Sequence, residues 1–166
     1  MIFAKRKSKG GFTIIEMLIS LAILALLMSA VATAFYASAI NYRENEDIFR
    51  AVHTARQVLF RITMELRTAT AVKHDDPANE CTMVTAAGSD ITYRYNSGDN
   101  TLYLITNDDA TDADYVFCDN VTAMTFVRTF DTGDPTVVKN VQINMTVAAG
   151  NVSQNVATAV VVRRNM

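Results

Sequence analysis

Residues 11–40 read GFTIIEMLISLAILALLMSAVATAFYASAI, an apolar segment with a single charged residue, Glu16. From Met17 to Ile40 it holds 24 consecutive residues without a charged side chain. A helix needs about 20 predominantly apolar residues to cross the hydrocarbon core of a bilayer. We therefore expect a membrane-spanning helix over residues 12–40, with a short polar leader, residues 1–11, before it.

A long segment without helix breakers extends the predicted helix beyond the apolar stretch. Between Phe12 and Ala87 there is no glycine, and the first proline is Pro77. Because glycine and proline are the strongest interrupters of local structure, one continuous helix is expected from Phe12 to about Thr70. Its first half is apolar on all faces, as a helix surrounded by lipid should be.

The second half of this helix, residues 41–71, is amphipathic. Glu46–Arg50 and Arg61–Glu65 stand at i,i+4 spacing, where opposite charges pair. Such a helix packs its apolar stripe on another layer of structure. The apolar residues recur at alternating spacings of four and three: Ile48, Val52, Ala55, Leu59, Ile62, Leu66 and Ala69.

Residues 72–166 carry the pattern of a β-domain, because apolar residues there recur every second position between turn sequences. Strands joined by short turns form an antiparallel sheet. With the amphipathic helix packed on the apolar face of that sheet, the predicted fold class is α+β. Strands are predicted at residues 82–85, 91–95, 102–106, 115–118, 124–130, 141–147 and 156–163.

The leader predicts the orientation of the chain in the membrane. Residues 1–11 carry four basic side chains and no acidic one. Lysine and arginine beside an apolar span stay on the cytoplasmic side. The N-terminus is therefore expected in the cytoplasm, and the β-domain outside the cytoplasmic membrane.

Binding of nucleic acid is not expected. Without the leader the chain keeps 11 basic and 17 acidic side chains, a formal charge of −6, which opposes nonspecific binding to phosphates. Tyr93, Arg94, Tyr95 and Tyr103 form the one candidate stacking surface for single-stranded DNA. Alternating strand residues of this kind more often pack as cross-strand pairs.

The residues Gly10-Gly11-Phe12-Thr13-Ile14-Ile15-Glu16 resemble the cleavage and methylation site of type IV prepilins and type II secretion pseudopilins. The family pattern is close to G-F-T-L-I-E, and Ile14 in place of leucine is the one departure. The resemblance covers Gly11 to about Ala39 and implies a pilin-like fold. It also implies cleavage by prepilin peptidase between Gly11 and Phe12, and N-methylation of Phe12.

The same resemblance implies a structural function for the chain. Pilin-like subunits assemble with one another on an inner-membrane platform into a pilus or pseudopilus. The segment Leu59–Val72 and the closing strand before Arg163-Arg164-Asn165 resemble J-type pseudopilins and related minor pilins, so a minor subunit is favoured.

Glu16 is the candidate residue for filament assembly. After cleavage it would be the fifth residue of the chain, within the apolar segment. A carboxylate at mid-membrane costs roughly 2.5–3.5 kcal/mol on insertion scales and normally has a partner. The resemblance implies that this partner is the N-terminal amine of a neighbouring subunit. The alternative is that Glu16 reaches the lipid headgroups from the first turn of its helix.

Two other accounts of the apolar segment stay open. Ala37-Ser38-Ala39 has the form of an ordinary signal-peptidase site, whose use would release a soluble domain starting at Ile40. The apolar run is, however, longer than the 7–15 residues of a signal core. In the other account, the span only tethers an extracytoplasmic binding domain, and substitution of Glu16 would have little effect.

No enzymatic activity is expected. His53 and His74 are the only histidines, and the chain has no Cys-x-x-Cys, His-Glu-x-x-His or glycine-rich phosphate loop. His74 lies near Asp75, Asp76 and Glu80, and we interpret this group as a solvated turn.

No cofactor is expected, with calcium as the one weak candidate. Asp109, Asp112 and Asp114 lie close together in the sequence, and calcium prefers such oxygen ligands. The segment nevertheless lacks the central glycine and the final glutamate of an EF-hand loop. A polar connection between strands is the simpler interpretation.

Cys81 and Cys118 both lie in the part expected outside the cytoplasm, where a pair of cysteines is a disulfide candidate. Closing a loop of that length would stabilise the fold by roughly 4 kcal/mol in the chain-entropy model. The alternative is two buried thiols, since free cysteine is commonly buried.

Overall fold

The computed structural model describes residues 11–108, 111 and 114–163. One helix, α1 (Ile14–Thr68), precedes eight strands, and the chain divides into two compact units, residues 1–42 and 43–166. The strands are β1 (Ala71–Val72), β2 (Glu80–Val84), β3 (Asp90–Asn96), β4 (Thr101–Thr106), β5 (Tyr115–Cys118), β6 (Val121–Phe130), β7 (Val138–Ala149) and β8 (Val152–Val161).

In the first unit, every described residue is exposed to its surroundings. The most apolar 18-residue window of α1 has a mean hydropathy of 2.5, and none of that window is buried. By length and composition the helix can cross a membrane, as predicted. A helix that is apolar on all faces and covered by none of the described residues is suited to lipid or to other helices.

In the second unit, the predicted stripe is the buried face of α1. All of its positions are buried except Val52, which is partly exposed, and Val58 is buried in addition. The helix ends at Thr68, two residues before the predicted end. It stops there because the Thr70 N–H donates to the Val84 carbonyl of β2, at 3.0 Å, and not to a helix carbonyl.

The strands are antiparallel, as predicted, but they form two sheets and not one. The first sheet has the order β1-β2-β3-β4-β5, and the second has the order β6-β7-β8. Asn120, which lies between β5 and β6, has a φ of +57°. Its carbonyl accepts from the Ala148 N–H at 3.0 Å, so the chain turns into pairing with β7 and leaves the first sheet.

All seven predicted strands are present, and β5 has the predicted bounds. The two-residue strand β1 was not predicted. Strand β7 shows the predicted alternation, since Val141, Ile143, Met145 and Val147 are buried whereas Gln142 is exposed. These side chains share one core with the buried stripe of α1 and the inner residues of the first sheet.

Arg128 of β6 connects the second sheet to the segment before β2. Its side chain is only 5 % exposed, and that of its partner Asp76 is 3 % exposed, with 3.7 Å between Nη2 and Oδ2. Nη1 donates to the Asp76 main-chain carbonyl at 2.9 Å, and Nη2 donates to the Glu80 carbonyl. The Nε atom is buried without a partner among the described residues.

The interpretation of residues 74–80 as a solvated turn was therefore wrong for Asp76. Its carboxylate accepts from the Thr82 N–H at 2.6 Å and lies 3.2 Å from Lys73 Nζ. Burial raises the pKa of this carboxyl, but the hydrogen bonds from Thr82 and Lys73 outweigh burial and hold the pKa below its usual value. Asp76 is a structural anion, which nothing in the local sequence distinguished from Asp75.

Candidate functional site

The start of helix α1 is closed by a reciprocal pair of side chains. Thr13 occupies the N-cap position, and Glu16 lies three residues later. Glu16 Oε2 accepts from the Thr13 N–H at 3.0 Å and from Thr13 Oγ1 at 3.0 Å. In return, the Glu16 N–H donates to Thr13 Oγ1 at 3.3 Å. This arrangement is a capping box.

The capping box gives Glu16 a role within its own chain. The first N–H groups of a helix have no partner in the helix, and unsatisfied backbone groups are costly in lipid. A carboxylate is also favourable at the positive end of the helix dipole. Sequence reasoning missed Thr13, although a threonine three residues before a glutamate and ahead of an apolar run was the available signal.

Gly11 and Phe12 precede the helix and are both exposed. Apart from its chain neighbours, no atom of the described residues lies within 4 Å of the place where a side chain on Gly11 would begin. The fold of this chain therefore does not require glycine at that position. A requirement for glycine would have to come from a protein that approaches the backbone closely, as a protease does.

A comparison with family models gives a match to the prokaryotic N-terminal methylation motif over residues 6–32. This match supports a type IV pilin-like prepilin. The match covers part of the leader and the first part of α1, and it does not extend to the sheets. No curated protein and no solved structure matches this chain.

The motif and the architecture agree with each other. A long N-terminal helix followed by antiparallel sheets is the α+β, pilin-like fold expected of a prepilin. The motif implies a structural subunit that is processed by prepilin peptidase and assembles with other pilins. The motif and the exposed apolar helix together support anchoring of the prepilin in a membrane.

The predicted disulfide is not present, because Cys81 and Cys118 are both free and buried. Strands β3 and β4 lie between the strands that carry them. Three strand spacings amount to about 14 Å, whereas bridged cysteines have Cα atoms about 4.4–6.8 Å apart. Burial raises the pKa of each thiol to about 11, so both are protonated at neutral pH.

The disfavoured candidate for a DNA-stacking surface is not formed, because Tyr93 and Tyr95 are buried. The Tyr93 hydroxyl donates to Glu65 Oε2 at 2.5 Å, and Arg61 Nε donates to Glu65 Oε1 at 3.1 Å. The Tyr93 ring packs against Phe117, with 5.3 Å between ring centroids. The bond from Tyr93 to Glu65 joins the first sheet to α1, so Tyr93 has a structural role.

The calcium prediction remains untested. Asp109 and Asp112 lie outside the described residues, and Asp114 is described and exposed. In the part of the chain that the structure describes, no group of three or more His, Cys, Asp or Glu could hold a metal ion. The neighbouring Asp108 accepts from the Asp90 N–H at 2.9 Å, so it positions the strand ends.

Proposed function

We propose that this prepilin is a non-catalytic minor subunit of a type IV pilus or of a type II secretion pseudopilus. The observation that carries the proposal is the Gly11–Glu16 motif at the start of an apolar helix that the described residues leave uncovered. Prepilin peptidase hydrolyses the Gly11–Phe12 bond and methylates the new Phe12 amine. The helix over residues 12–40 then packs with the helices of other subunits.

The basic leader places the cleavage site at the cytoplasmic face of the inner membrane. Because lysine and arginine stay on the cytoplasmic side, the Gly11–Phe12 bond lies at that surface and residues 43–166 lie on the other side of the membrane. Gly11 and Phe12 are both exposed, so the bond between them is accessible to the peptidase.

Glu16 has one carboxylate oxygen for its own helix and one for a neighbour. Both capping bonds from Thr13 go to Oε2, and among the described residues Oε1 accepts no hydrogen bond. In the filament, Oε1 accepts from the methylated Phe12 amine of the adjacent subunit. That contact neutralises two charges in an apolar core, where each alone would be costly, and it sets the register of neighbouring helices.

The tethered binding domain is the alternative that the test must exclude. The Glu16→Gln substitution keeps an oxygen that can cap Thr13 but removes the negative charge. We expect cleavage after Gly11 to continue, while the chain disappears from the sheared filament fraction and accumulates in the membrane. The matched control is Glu44→Gln, a substitution outside the apolar segment that should leave incorporation unchanged.

An unchanged amount of the Glu16→Gln chain in the filament fraction would refute the assembly mechanism. Immunoblots of sheared filaments and of membranes, normalised to total chain, measure the distribution. Thr13→Ala removes the two hydrogen bonds of Thr13 Oγ1 but keeps Glu16 and its bond from the backbone N–H of residue 13. That variant separates loss of the hydroxyl cap from loss of the charge.

A further inference from the structure

Strand β8 has an open edge, at which no other described strand pairs with it. It is the outer strand of the second sheet, ten residues long, without a charged residue or a proline. Its pairing with β7 is unbroken from Val161 to Val152. Natural proteins protect such edges with short strands, charges, prolines or bulges, and β8 has none of these.

The other sheet edges in the described residues are protected. Strand β1 has two residues, and β5 has four. Strand β6 carries Arg128 and two register shifts. In addition, the Phe126 N–H of β6 already donates to the Ala78 carbonyl at 2.7 Å. Among the described edge strands, β8 is therefore the one without such protection.

The turn before β8 determines which of its backbone groups face outward. Gly150 has a φ of +58°, as the first residue of a two-residue type II′ turn requires. Ala149 and Val152 close this hairpin, so Val152 and every second residue after it bond to β7. The intervening residues, from Ser153 to Val161, direct five N–H and five carbonyl groups to the open edge.

A groove on α1 runs beside this edge, within residues 43–166. Phe49 and Phe60 line the groove and are 70 % and 68 % exposed. Arg56 lies between them and borders both of the surface concavities that form the groove. Gln154, Val156, Ala157 and Thr158 line the other wall, and no residue of β7 does, which places the groove on the open side of β8.

We propose that β8 accepts an extended strand from a different polypeptide, which becomes the fourth strand of the second sheet. Main-chain hydrogen bonds to an edge provide affinity in such complexes, and alternate side chains provide specificity. The incoming strand carries an apolar residue, an acid and a second apolar residue at alternate positions. The acid faces Arg56, which has no ion pair among the described residues.

The spacing of the groove fits this pattern. Phe49 and Phe60 are eleven residues apart on the helix, about 16 Å at 1.5 Å per residue. A strand covers about 13 Å in four residues and about 20 Å in six. Two apolar side chains four residues apart therefore reach the two phenylalanines, with the acid midway between them.

The charge of the groove excludes a second copy of β8 as the partner. No residue of β8 is acidic, so pairing β8 with β8 would place no carboxylate opposite Arg56. The acids within described strands, Glu80 and Asp90, are the first residues of their strands and already bond to Arg94 and Asn107. The partner strand therefore belongs to another protein. This proposal does not depend on filament assembly.

A fluorescent ten-residue peptide tests the proposal on the full chain in detergent micelles. The peptide holds leucine, glutamate and leucine at alternate central positions between threonines, and fluorescence anisotropy measures its dissociation constant. We expect saturable binding. Ala157→Pro removes an outward N–H that β7 does not use, and it should weaken binding about tenfold.

Charge reversal provides a second variant that does not disturb the strand. Arg56→Glu should weaken binding of the glutamate peptide about tenfold. The same variant should bind a second peptide, in which lysine replaces the glutamate, as tightly as the unmodified chain binds the glutamate peptide. Arg67→Glu is the matched control, because Arg67 is exposed on the same helix outside the groove, and its affinity should not change.

Three results would overturn the proposal. The first is that the unmodified chain binds neither peptide. The second is that Arg56→Glu leaves the affinity for both peptides unchanged. The third is that an Ala157→Cys variant forms a disulfide-linked homodimer through β8, since the partner would then be a second copy of this chain.

Discussion

Replacing Arg128 by methionine should destabilise the second unit by about 3 kcal/mol. Methionine keeps an unbranched apolar stem but offers no donor. The main-chain carbonyls of Asp76 and Glu80 would lose their partner, and each unsatisfied buried group costs about 1–3 kcal/mol. Removing the unpaired Nε offsets part of that loss.

Loss of the ion pair between Arg128 and Asp76 should add less to the destabilisation than loss of a buried ion pair usually does. Removing one partner of a buried pair typically costs 3–5 kcal/mol. Here the Asp76 carboxylate keeps the Thr82 N–H and Lys73 Nζ as partners after Arg128 is replaced. The main-chain carbonyls therefore account for most of the expected 3 kcal/mol.

Urea unfolding of the full chain in detergent, followed by near-ultraviolet tyrosine circular dichroism, measures the change. Arg94→Met is the matched control, since Arg94 pairs with the Glu80 side chain at 2.7 Å while 46 % of its own side chain is exposed. Exposed pairs contribute about 0–1 kcal/mol. Equal losses of less than 1 kcal/mol in the two variants would refute the structural role of Arg128.

Three further predictions concern single side chains. Because the folded-state pKa of Asp76 is lowered, its contribution to stability is present at neutral pH and is lost as pH falls through that pKa. Asp76→Asn should therefore reduce the loss of unfolding free energy at acidic pH. An unchanged acidic loss would contradict this prediction. Burial and the bond to Glu65 raise the pKa of Tyr93, so its contribution to stability is present below pH 10 and is lost above it. Tyr93→Phe should therefore reduce the loss of stability at alkaline pH, and unfolding at pH 8 and pH 11 would measure this loss. Cys81 and Cys118 should react with a thiol reagent only after unfolding, two thiols per chain, and a chain without titratable thiols in urea would indicate a disulfide.

The helix and the strands were predictable because their signals are periodic and local. The buried face of α1 follows from residues such as Ala55, Ile62 and Leu66, whose spacing alone defines one face of a helix. The buried face of β7 follows in the same way from alternation. In both cases the structure is selected by the burial of apolar area, and the spacing of the apolar residues is visible in the sequence.

The partition into two sheets and the buried ion pair were not predictable from local patterns. In the sequence, Asn120 indicates an ordinary turn between neighbouring strands. Its left-handed backbone conformation is visible only in the structure. Asp76 and Arg128 are 52 residues apart, and only the tertiary fold brings them together. The disulfide prediction failed for the same reason, since strand order determines whether Cys81 can approach Cys118.

The candidate site was predicted from its motif, and its geometry came from the structure. Gly11, Phe12 and Glu16 were identified by resemblance to prepilins, and a family model matches that region. The capping bond from Thr13 to Glu16 depends on the residue at which the helix begins. Sequence patterns locate that residue only to within a few positions.

Prepilin processing is tested most directly by the intact mass and N-terminal sequence of the chain extracted from native membranes. We predict a chain that begins at Phe12 and is one methyl group heavier than its calculated mass. A chain that begins at Ile40, or one that keeps Met1, would contradict this account.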